Sequence, residues 1–328
     1  MQRILAQFIL LAIFALFNIS CKDEKPNEPP DNGNDPPPSE DVYPNPYDCP
    51  SITADGKTLY FLRTKVTEVL EGGAYAVNYD SSGLWRMNMA TREMEFVWNK
   101  FMITAEISPD GNSLLYDYGG EIYRTNITNG KIDTASIIKL SEISNCHMPA
   151  WNTSADKIAY VHTICDEHAC GIWLIDQNNS NSFAALYGRY PAWIPNQNSF
   201  LFQKGDEVEK TNDSLFLYNI ENKKTSLITI LSHTTSNFCY DYTGNIIIYN
   251  SQSPEEAPQV WTMDKNGNNK KQLTTYGAGR LTATPDNRII YLHYRWWVKD
   301  INNGTLWIMN TDGTNKEQLT YNDGMVLE

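Results

Sequence analysis

The sequence is poor in positive charge. Its 328 residues include 26 Lys and Arg against 39 Asp and Glu, which gives a formal net charge of −13. A chain this acidic repels phosphate backbones, so no nucleic acid is expected among its partners. Six cysteines are too few for a disulfide-dense scaffold. Because 41% of the residues are apolar and 12% are aromatic, a packed core is expected and disorder of the whole chain is excluded.

Recognisable catalytic motifs are also missing. There is no G-x-S-x-G elbow for nucleophilic catalysis, no Walker sequence and no dinucleotide-binding glycine fingerprint. We therefore assign no catalytic residue, no metal and no cofactor from the sequence, and a non-catalytic role is favoured over an enzymatic one.

The apolar run at residues 4–19 is short for a membrane span. Sixteen residues at about 1.5 Å each reach roughly 24 Å, less than the ~30 Å hydrocarbon core. With Arg3 before it, the run is typical of an export signal over residues 1–20. Asn18-Ile19-Ser20-Cys21 resembles a lipobox, which implies that Cys21 is lipidated and becomes the mature N-terminus. An ordinary signal peptide followed by a chance cysteine is the alternative.

A tether is predicted over residues 21–42. Residues 22–42 contain six prolines and seven acids, so they bury too little surface to fold. Extended at about 3.1 Å per residue, they would reach roughly 60 Å. Lys22-Asp23-Glu24 resembles the signal that sends some Gram-negative lipoproteins to the outer face of the outer membrane. We expect an outer-membrane, surface-exposed lipoprotein, with the periplasmic face as the alternative.

The remaining chain repeats six times and shows no sustained helical period. A turn followed by a hydrophobic strand ends in an aromatic residue at Phe61, Tyr116, Tyr160, Phe202, Tyr249 and Tyr291, spaced 55, 44, 42, 47 and 42 residues apart. Between these lies a second marker, an aromatic with Asn or Asp three residues later, at Trp85, Tyr123, Trp173, Phe216, Trp261 and Trp307. Two interleaved markers predict six four-stranded units, which is typical of a β-propeller.

The repeat resembles the P-x-W-S-P-D-G repeat of the TolB-like propellers, which are related to WD-repeat proteins. Pro149-Ala150-Trp151, Pro191-Ala192-Trp193 and Ser108-Pro109-Asp110-Gly111 match its core, although the first, fourth and fifth copies lack parts of it. Gln259–Asp264 and Leu306–Gly313 match its second half. The resemblance implies an all-β fold over residues 43–328, a six-bladed propeller with four-stranded antiparallel blades.

The way the ring closes is predicted from the few residues at each chain end that are not already assigned to a strand. Blades 1 and 6 each hold a full set of strands, so we predict that every blade is built from contiguous sequence. The sixth blade then packs on the first mainly through side chains.

One loop of the third unit gathers residues that bind metals. Cys165 and Cys170 enclose Asp166, Glu167 and His168, with His162 upstream. Because thiols are oxidised in an exported chain, we predict a Cys165–Cys170 disulfide. A metal site and free thiols are the alternatives, and no fourth ligand is visible for a metal. Cys49, Cys146 and Cys239 are interpreted as small buried residues near the axis.

The segments that lead into the innermost strands of a propeller converge at one end of its axis. Counting back seven to eight residues from each turn identifies Asp48, Ile103, Thr104, His147, Arg189, Tyr190, Asn237 and Arg280. This mixed polar set predicts a funnel for a sugar or a peptide. The alternative is that the funnel is polar only because it is wet.

Two functional hypotheses follow. The preferred one is a cell-envelope lipoprotein whose propeller is a non-catalytic binding or assembly module for a glycan or envelope protein, with the lipid as its only membrane attachment. The alternative is a polysaccharide-active enzyme, lyase-like, that uses His147, Arg189 and Arg280. The seven-bladed oligogalacturonate lyases share this repeat type and use histidines with a metal, but the five histidines here show no transferable pairing.

Overall fold

The structure is a computed structural model. It describes residues 47–69, 75–165, 167–176, 178–205, 213–253, 257–275, 277–293, 297–298, 301–302 and 304–321. The predicted signal, Cys21 and the tether lie outside these residues. Every regular element in the described part of the chain is a β-strand, and no helix long and apolar enough to cross a membrane occurs there.

Six four-stranded antiparallel sheets follow one another along the chain, so the predicted six-bladed all-β propeller is confirmed. From innermost to outermost strand, blades 1 to 3 comprise β1 (Tyr47–Ile52), β2 (Thr58–Arg63), β5 (Gly83–Asn88) and β6 (Met94–Trp98); β7 (Ala105–Ile107), β8 (Ser113–Tyr118), β9 (Glu121–Thr128) and β10 (Lys131–Lys139); and β11 (Cys146–Trp151), β12 (Ile158–His162), β13 (Gly171–Ile175) and β14 (Asn181–Leu186).

Blades 4 to 6 have the same order. They comprise β15 (Arg189–Trp193), β16 (Ser199–Gly205), β17 (Asp213–Asn219) and β18 (Lys224–Leu231); β19 (Phe238–Tyr240), β20 (Ile246–Ser251), β21 (Gln259–Asp264) and β22 (Lys271–Gln272); and β23 (Ala278–Ala283), β24 (Arg288–His293), β27 (Thr305–Asn310) and β28 (Glu317–Gln318). Two small hairpins, β3 (Val66–Val69) with β4 (Tyr75–Val77) and β25 (Trp297–Val298) with β26 (Ile301–Asn302), are inserted between the second and third strands of blades 1 and 6.

The two sequence markers lie directly opposite each other in all six blades. The pairs are Phe61 and Trp85, Tyr116 and Tyr123, Tyr160 and Trp173, Phe202 and Phe216, Tyr249 and Trp261, and Tyr291 and Trp307. The first residue of every pair is at most 2% exposed. Tyr116, for example, packs with Tyr60 and Leu84 of the preceding blade. The core therefore lies between blades, as the aromatic repeat predicted.

The predicted ring closure is confirmed, because each blade is contiguous in sequence. Blade 6 packs on blade 1 through a cluster that includes Phe61, Ile290 and Leu306. The Tyr47 hydroxyl donates a hydrogen bond to the Tyr321 carbonyl at 2.8 Å. Side-chain packing, this hydrogen bond and an ion pair between Arg92 and Glu317 thus join the two ends of the ring.

Each first-to-second strand turn contains a residue with positive φ. Gly56, Gly111 and Gly244 supply it in blades 1, 2 and 5, whereas Ala155, Asn196 and Asn287 do so in the other three. Ala155 pays a steric cost in this conformation that glycine would not. These turns lie at the far end of the innermost strands from the candidate site.

Candidate functional site

The candidate site is the end of the central channel at which the innermost strands begin. Asp48, His147, Arg189, Tyr190, Asn237 and Arg280 all lie in or directly before these strands, and we call this end the mouth. A six-residue strand spans roughly 20 Å, so the mouth is separated by that length from the turns at the opposite end.

Three innermost strands carry the same deformation at the mouth. The strand register shifts between Asp48 and Ser51, between His147 and Ala150, and between Arg189 and Ala192. The residues inside these bulges, Cys49, Met148 and Tyr190, have φ of 49°, 56° and 52°. Bulges re-aim neighbouring side chains, and here each one carries a predicted polar residue at its start.

Proline follows every one of these bulge residues, as Pro50, Pro149 and Pro191. Proline has no backbone N–H, so it is tolerated in edge strands and bulges where the ladder is interrupted. This Pro spacing in three copies is the signal from which sequence reasoning could have found the bulges.

Asp48 and Arg280 form an ion pair at the mouth. Arg280 Nε lies 3.1 Å from Asp48 Oδ1, and the two side chains are 25% and 33% exposed. Arg280 also sits at a bulge, since the register of β23 shifts between Gly279 and Leu281. Because Asp48 belongs to blade 1 and Arg280 to blade 6, the pair spans the ring closure.

His147 is held by a buried carboxylate that sequence reasoning missed. His147 Nδ1 lies 3.3 Å from Oδ2 of Asp117, whose side chain is fully buried. The other oxygen, Oδ1, accepts hydrogen bonds from the backbone N–H groups of Ile103 at 3.2 Å and Thr104 at 2.7 Å. Ile103 and Thr104 therefore contribute their backbone to a connection between blades 2 and 3.

The same position is polar in blade 5. Asn250, which follows Tyr249 as Asp117 follows Tyr116, accepts hydrogen bonds from the backbone N–H groups of Ser236 at 3.0 Å and Asn237 at 2.8 Å. Polar residues directly after a closing aromatic are thus the sequence signal for the groups that support the mouth.

Asn237 has a structural contact. Its Oδ1 accepts a hydrogen bond from the backbone N–H of Leu281 at 2.8 Å, which links blade 5 to blade 6. Asn237 therefore stabilises the mouth, while Asp48, Arg189 and Arg280 supply its charges.

Both arginines of the mouth affect the pKa of Tyr190. Burial raises the pKa of its hydroxyl, and the guanidinium groups of Arg280 and Arg189 act in the opposite direction. Arg189 itself is exposed. The two guanidinium groups therefore act on one spot of the mouth, between blades 4 and 6.

Among the described residues, three cysteines are free thiols, and burial favours their protonated form. Burial raises the pKa of Cys146 and Cys239 to about 12 and that of Cys49 still higher. A thiol is a nucleophile or metal ligand only as the thiolate. Cys146 is buried, whereas Cys49 and Cys239 are partly buried and pack against core clusters.

In blade 3, Cys165 and Cys170 are joined by a disulfide that closes the loop between β12 and β13. The loop is tied to the blade by the Ala169 carbonyl, which accepts a hydrogen bond from Trp173 Nε1 at 2.8 Å. Among the residues the structure describes, no three His, Cys, Asp or Glu side chains are grouped closely enough to hold a metal ion.

Two concavities lie at the opposite end of the propeller. One, of about 660 Å³, lies between blades 1 and 2 and is lined by Arg86, Asp110 and Asn129 among others. The other, of about 140 Å³, lies between blades 6 and 1 next to Asp286 and Arg288. They provide a second surface against which any binding at the mouth can be compared.

No protein-family model matches the chain, and no curated protein matches it significantly. Solved structures share its fold. A protein described as TolB from Agrobacterium tumefaciens superposes with a TM-score of 0.60 at 18% identity, covering 71% of this chain and 86% of that chain. An oligogalacturonate lyase in complex with manganese gives a TM-score of 0.51 at 14% identity, with 80% and 87% covered.

A third similar structure is the β-propeller domain of the Trilobed protease from Pyrococcus furiosus, described as having an open velcro topology. It gives a TM-score of 0.51 at 14% identity and covers 86% of this chain and 99% of that domain. At these identities the likeness concerns the fold alone. The chain is thus a six-bladed β-propeller with the fold of the TolB-like proteins.

Proposed function

We propose that this protein is a cell-envelope lipoprotein whose propeller binds a glycan or protein partner at the mouth, without catalysis. The observation that carries the proposal is the repeated bulge that presents Asp48, His147 and Arg189 around one end of the channel. A left-handed non-glycine residue costs about 1–2 kcal/mol, and such strain is concentrated at functional sites.

The polar side chains at the mouth are held in place by their neighbours. Asp48 is engaged by Arg280, and His147 is engaged by Asp117. The buried thiols stay protonated because their pKa values are high. A mouth with fixed, paired charges is pre-organised for recognition, since little side-chain freedom is lost when a ligand binds.

The envelope location rests on the sequence. The export signal, the lipobox-like Asn18–Cys21 and the proline- and acid-rich tether support a lipid anchor at Cys21 that holds the propeller away from the membrane. The Lys22–Glu24 triplet favours the outer face of the outer membrane over its periplasmic face.

The test is a glycan array and an envelope-extract pull-down with the purified full-length protein. The double variant Asp48→Asn/Arg280→Gln removes the ion pair at the mouth. Asp286→Asn/Arg288→Gln removes a matched exposed pair, 2.7 Å apart, at the opposite end. We expect a ligand whose capture falls at least about tenfold in the first variant and is unchanged in the second. Equal capture by both variants would place binding elsewhere.

A second candidate function is a polysaccharide-active enzyme of lyase type. It is favoured by one observation, the His147 imidazole beside the buried Asp117 carboxylate, since a carboxylate orients a histidine for proton abstraction. Release of unsaturated oligosaccharides from acidic polysaccharides, lost in His147→Gln, would favour this function over a binding module.

A further inference from the structure

We propose that the connection between blades 3 and 4, Tyr187–Tyr190, is a subsite for an acidic sugar. In this subsite Arg189 binds the sugar carboxylate and Tyr187 stacks on the sugar ring. The inference rests on the proposed function, because it names the ligand class and the first contact residues of the same mouth.

Arg189 is the positively charged residue of the mouth that is available to bind a ligand. Among the described residues, Arg280 is paired with Asp48 and His147 contacts Asp117, and no ion pair engages Arg189. The residue is exposed, while its backbone is fixed by pairing with Gln203. A guanidinium presents a planar fork of N–H donors that matches the two oxygens of a carboxylate.

Positive charge from neighbouring residues also reaches this position, and the buried Asp213 carboxylate, which interacts with Arg189, opposes it in part. The Arg280 guanidinium acts on the Tyr190 hydroxyl together with that of Arg189. Lys204 Nζ lies 5.6 Å from the centre of the Tyr187 ring. On a chain with a net charge of −13, such a cluster attracts one anionic group locally while the whole protein repels dense polyanions.

Tyr187 offers an aromatic surface beside this charge. It is 41% exposed and lies two residues before Arg189. Its φ is 57°, and its backbone N–H donates to the Cys170 carbonyl at 3.1 Å. The disulfide-closed loop of blade 3 therefore fixes the position of Tyr187.

Gly188 lets the backbone of the connection pack directly against buried side chains. A Cβ atom there would lie 2.7 Å from Ile172 Cγ1 and 2.8 Å from a Phe202 ring carbon. The backbone between Tyr187 and Arg189 is thus packed on buried side chains. The ring and the guanidinium are presented from a rigid segment, which lowers the entropic cost of binding.

This combination fits a sugar. Sugar rings stack on exposed aromatic faces and use neighbouring donors and acceptors for their hydroxyl groups. Tyr190, Asp48 and His147 supply such groups around the mouth. An acidic peptide is the competing ligand, and the experiment below separates the two.

The experiment is ligand-observed NMR and calorimetry on the purified full-length protein. The probes are trimers of hexuronic acids, the matching neutral hexose trimers and an acidic tripeptide. Arg189→Lys keeps the charge but loses the planar fork, and Tyr187→Ser removes the ring. The matched controls are Arg92→Lys, at an arginine paired with Glu317 at the opposite end, and Tyr79→Ser, at another exposed tyrosine.

We expect the acidic trimers to bind about tenfold or more tightly than the neutral ones, and each mouth variant to weaken them by about tenfold, with both controls unchanged. Unchanged affinity in Arg189→Lys, equal binding of acidic and neutral trimers, preference for the tripeptide, or no binding of any hexuronic acid trimer would overturn the proposal. A ligand whose capture still depends on the Asp48–Arg280 pair would leave the proposed function standing in each of those cases.

Discussion

Glu106 gives the stability of the ring a pH dependence that can be worked out from the structure. It lies in β7, between Ala105 and Ile107, and its Oε2 accepts a hydrogen bond from the Trp151 backbone N–H of the next innermost strand at 3.3 Å. Elsewhere neutral acceptors take this role, as when Ser51 Oγ accepts from the Ile107 N–H at 3.0 Å. Innermost strands are edge strands, so such acceptors satisfy N–H groups that no strand pairs.

The magnitude follows from the pKa of this carboxyl group. Burial raises the pKa of Glu106 from 4.5 to about 8, and the Trp151 N–H opposes this only in part. The group binds its proton more tightly in the folded chain, so stability is highest below pH 4.5 and falls as the pH rises toward 8. The free energy of unfolding falls by about 1.4 kcal/mol for each pH unit between the two pKa values, which gives a full loss of roughly 5 kcal/mol. Because Glu106 is partly exposed to the channel, we expect about 2–5 kcal/mol.

The perturbation is Glu106→Gln, which keeps an acceptor for Trp151 and removes the charge. Urea unfolding of the full-length protein between pH 5 and 9 should show that this variant gains stability over the wild type as the pH rises, with a plateau above about pH 8. Glu142→Gln, at an exposed glutamate, is the control and should follow the wild type. Parallel stability curves for wild type and Glu106→Gln would refute the reasoning.

Three further predictions concern the anchor, the disulfide and a turn. Cys21→Ala should move the protein from the membrane to the soluble fraction, and unchanged membrane association would remove the lipid anchor from the account. Mass spectrometry of the non-reduced protein should find Cys165 linked to Cys170, whereas two reduced thiols with one bound zinc per chain would reverse that assignment. Ala155→Gly should raise the free energy of unfolding by about 0.5–1 kcal/mol, because the steric strain that glycine removes at a φ of 55° exceeds the entropy that glycine adds to the unfolded chain. Ala54→Gly, in the equivalent turn of blade 1 but at a position without positive φ, should lower it.

The blade order could be predicted from the sequence because one physical requirement repeats. Every interface between blades needs a large buried side chain, so an aromatic residue recurs at the end of each second strand. Its partner on the third strand recurs with it, and the pairs such as Tyr116 with Tyr123 follow from the two periodicities. Contiguous blades followed from counting strands at both chain ends.

The sequence predicts which residues lie at the mouth, but it does not predict which side chains contact each other there. Counting back from the turns found Asp48, His147, Arg189 and Arg280, because strand length fixes where each innermost strand begins. Asp117 was missed, since its role depends on the neighbouring blade that brings His147 within 3.3 Å. Glu106 was missed for the same reason, because burial that shifts its pKa arises only when the ring closes.

The central claim is that the mouth, and not the opposite end, binds the ligand. Hydrogen exchange with mass spectrometry on the full-length protein, with and without the ligand found on the array, tests it directly. The account predicts slower exchange in peptides that span Tyr47–Ile52, Cys146–Trp151 and Arg189–Trp193, with no change in the turns around Gly56 and Gly111. Slower exchange confined to those turns, which line the cavity between blades 1 and 2, would contradict it.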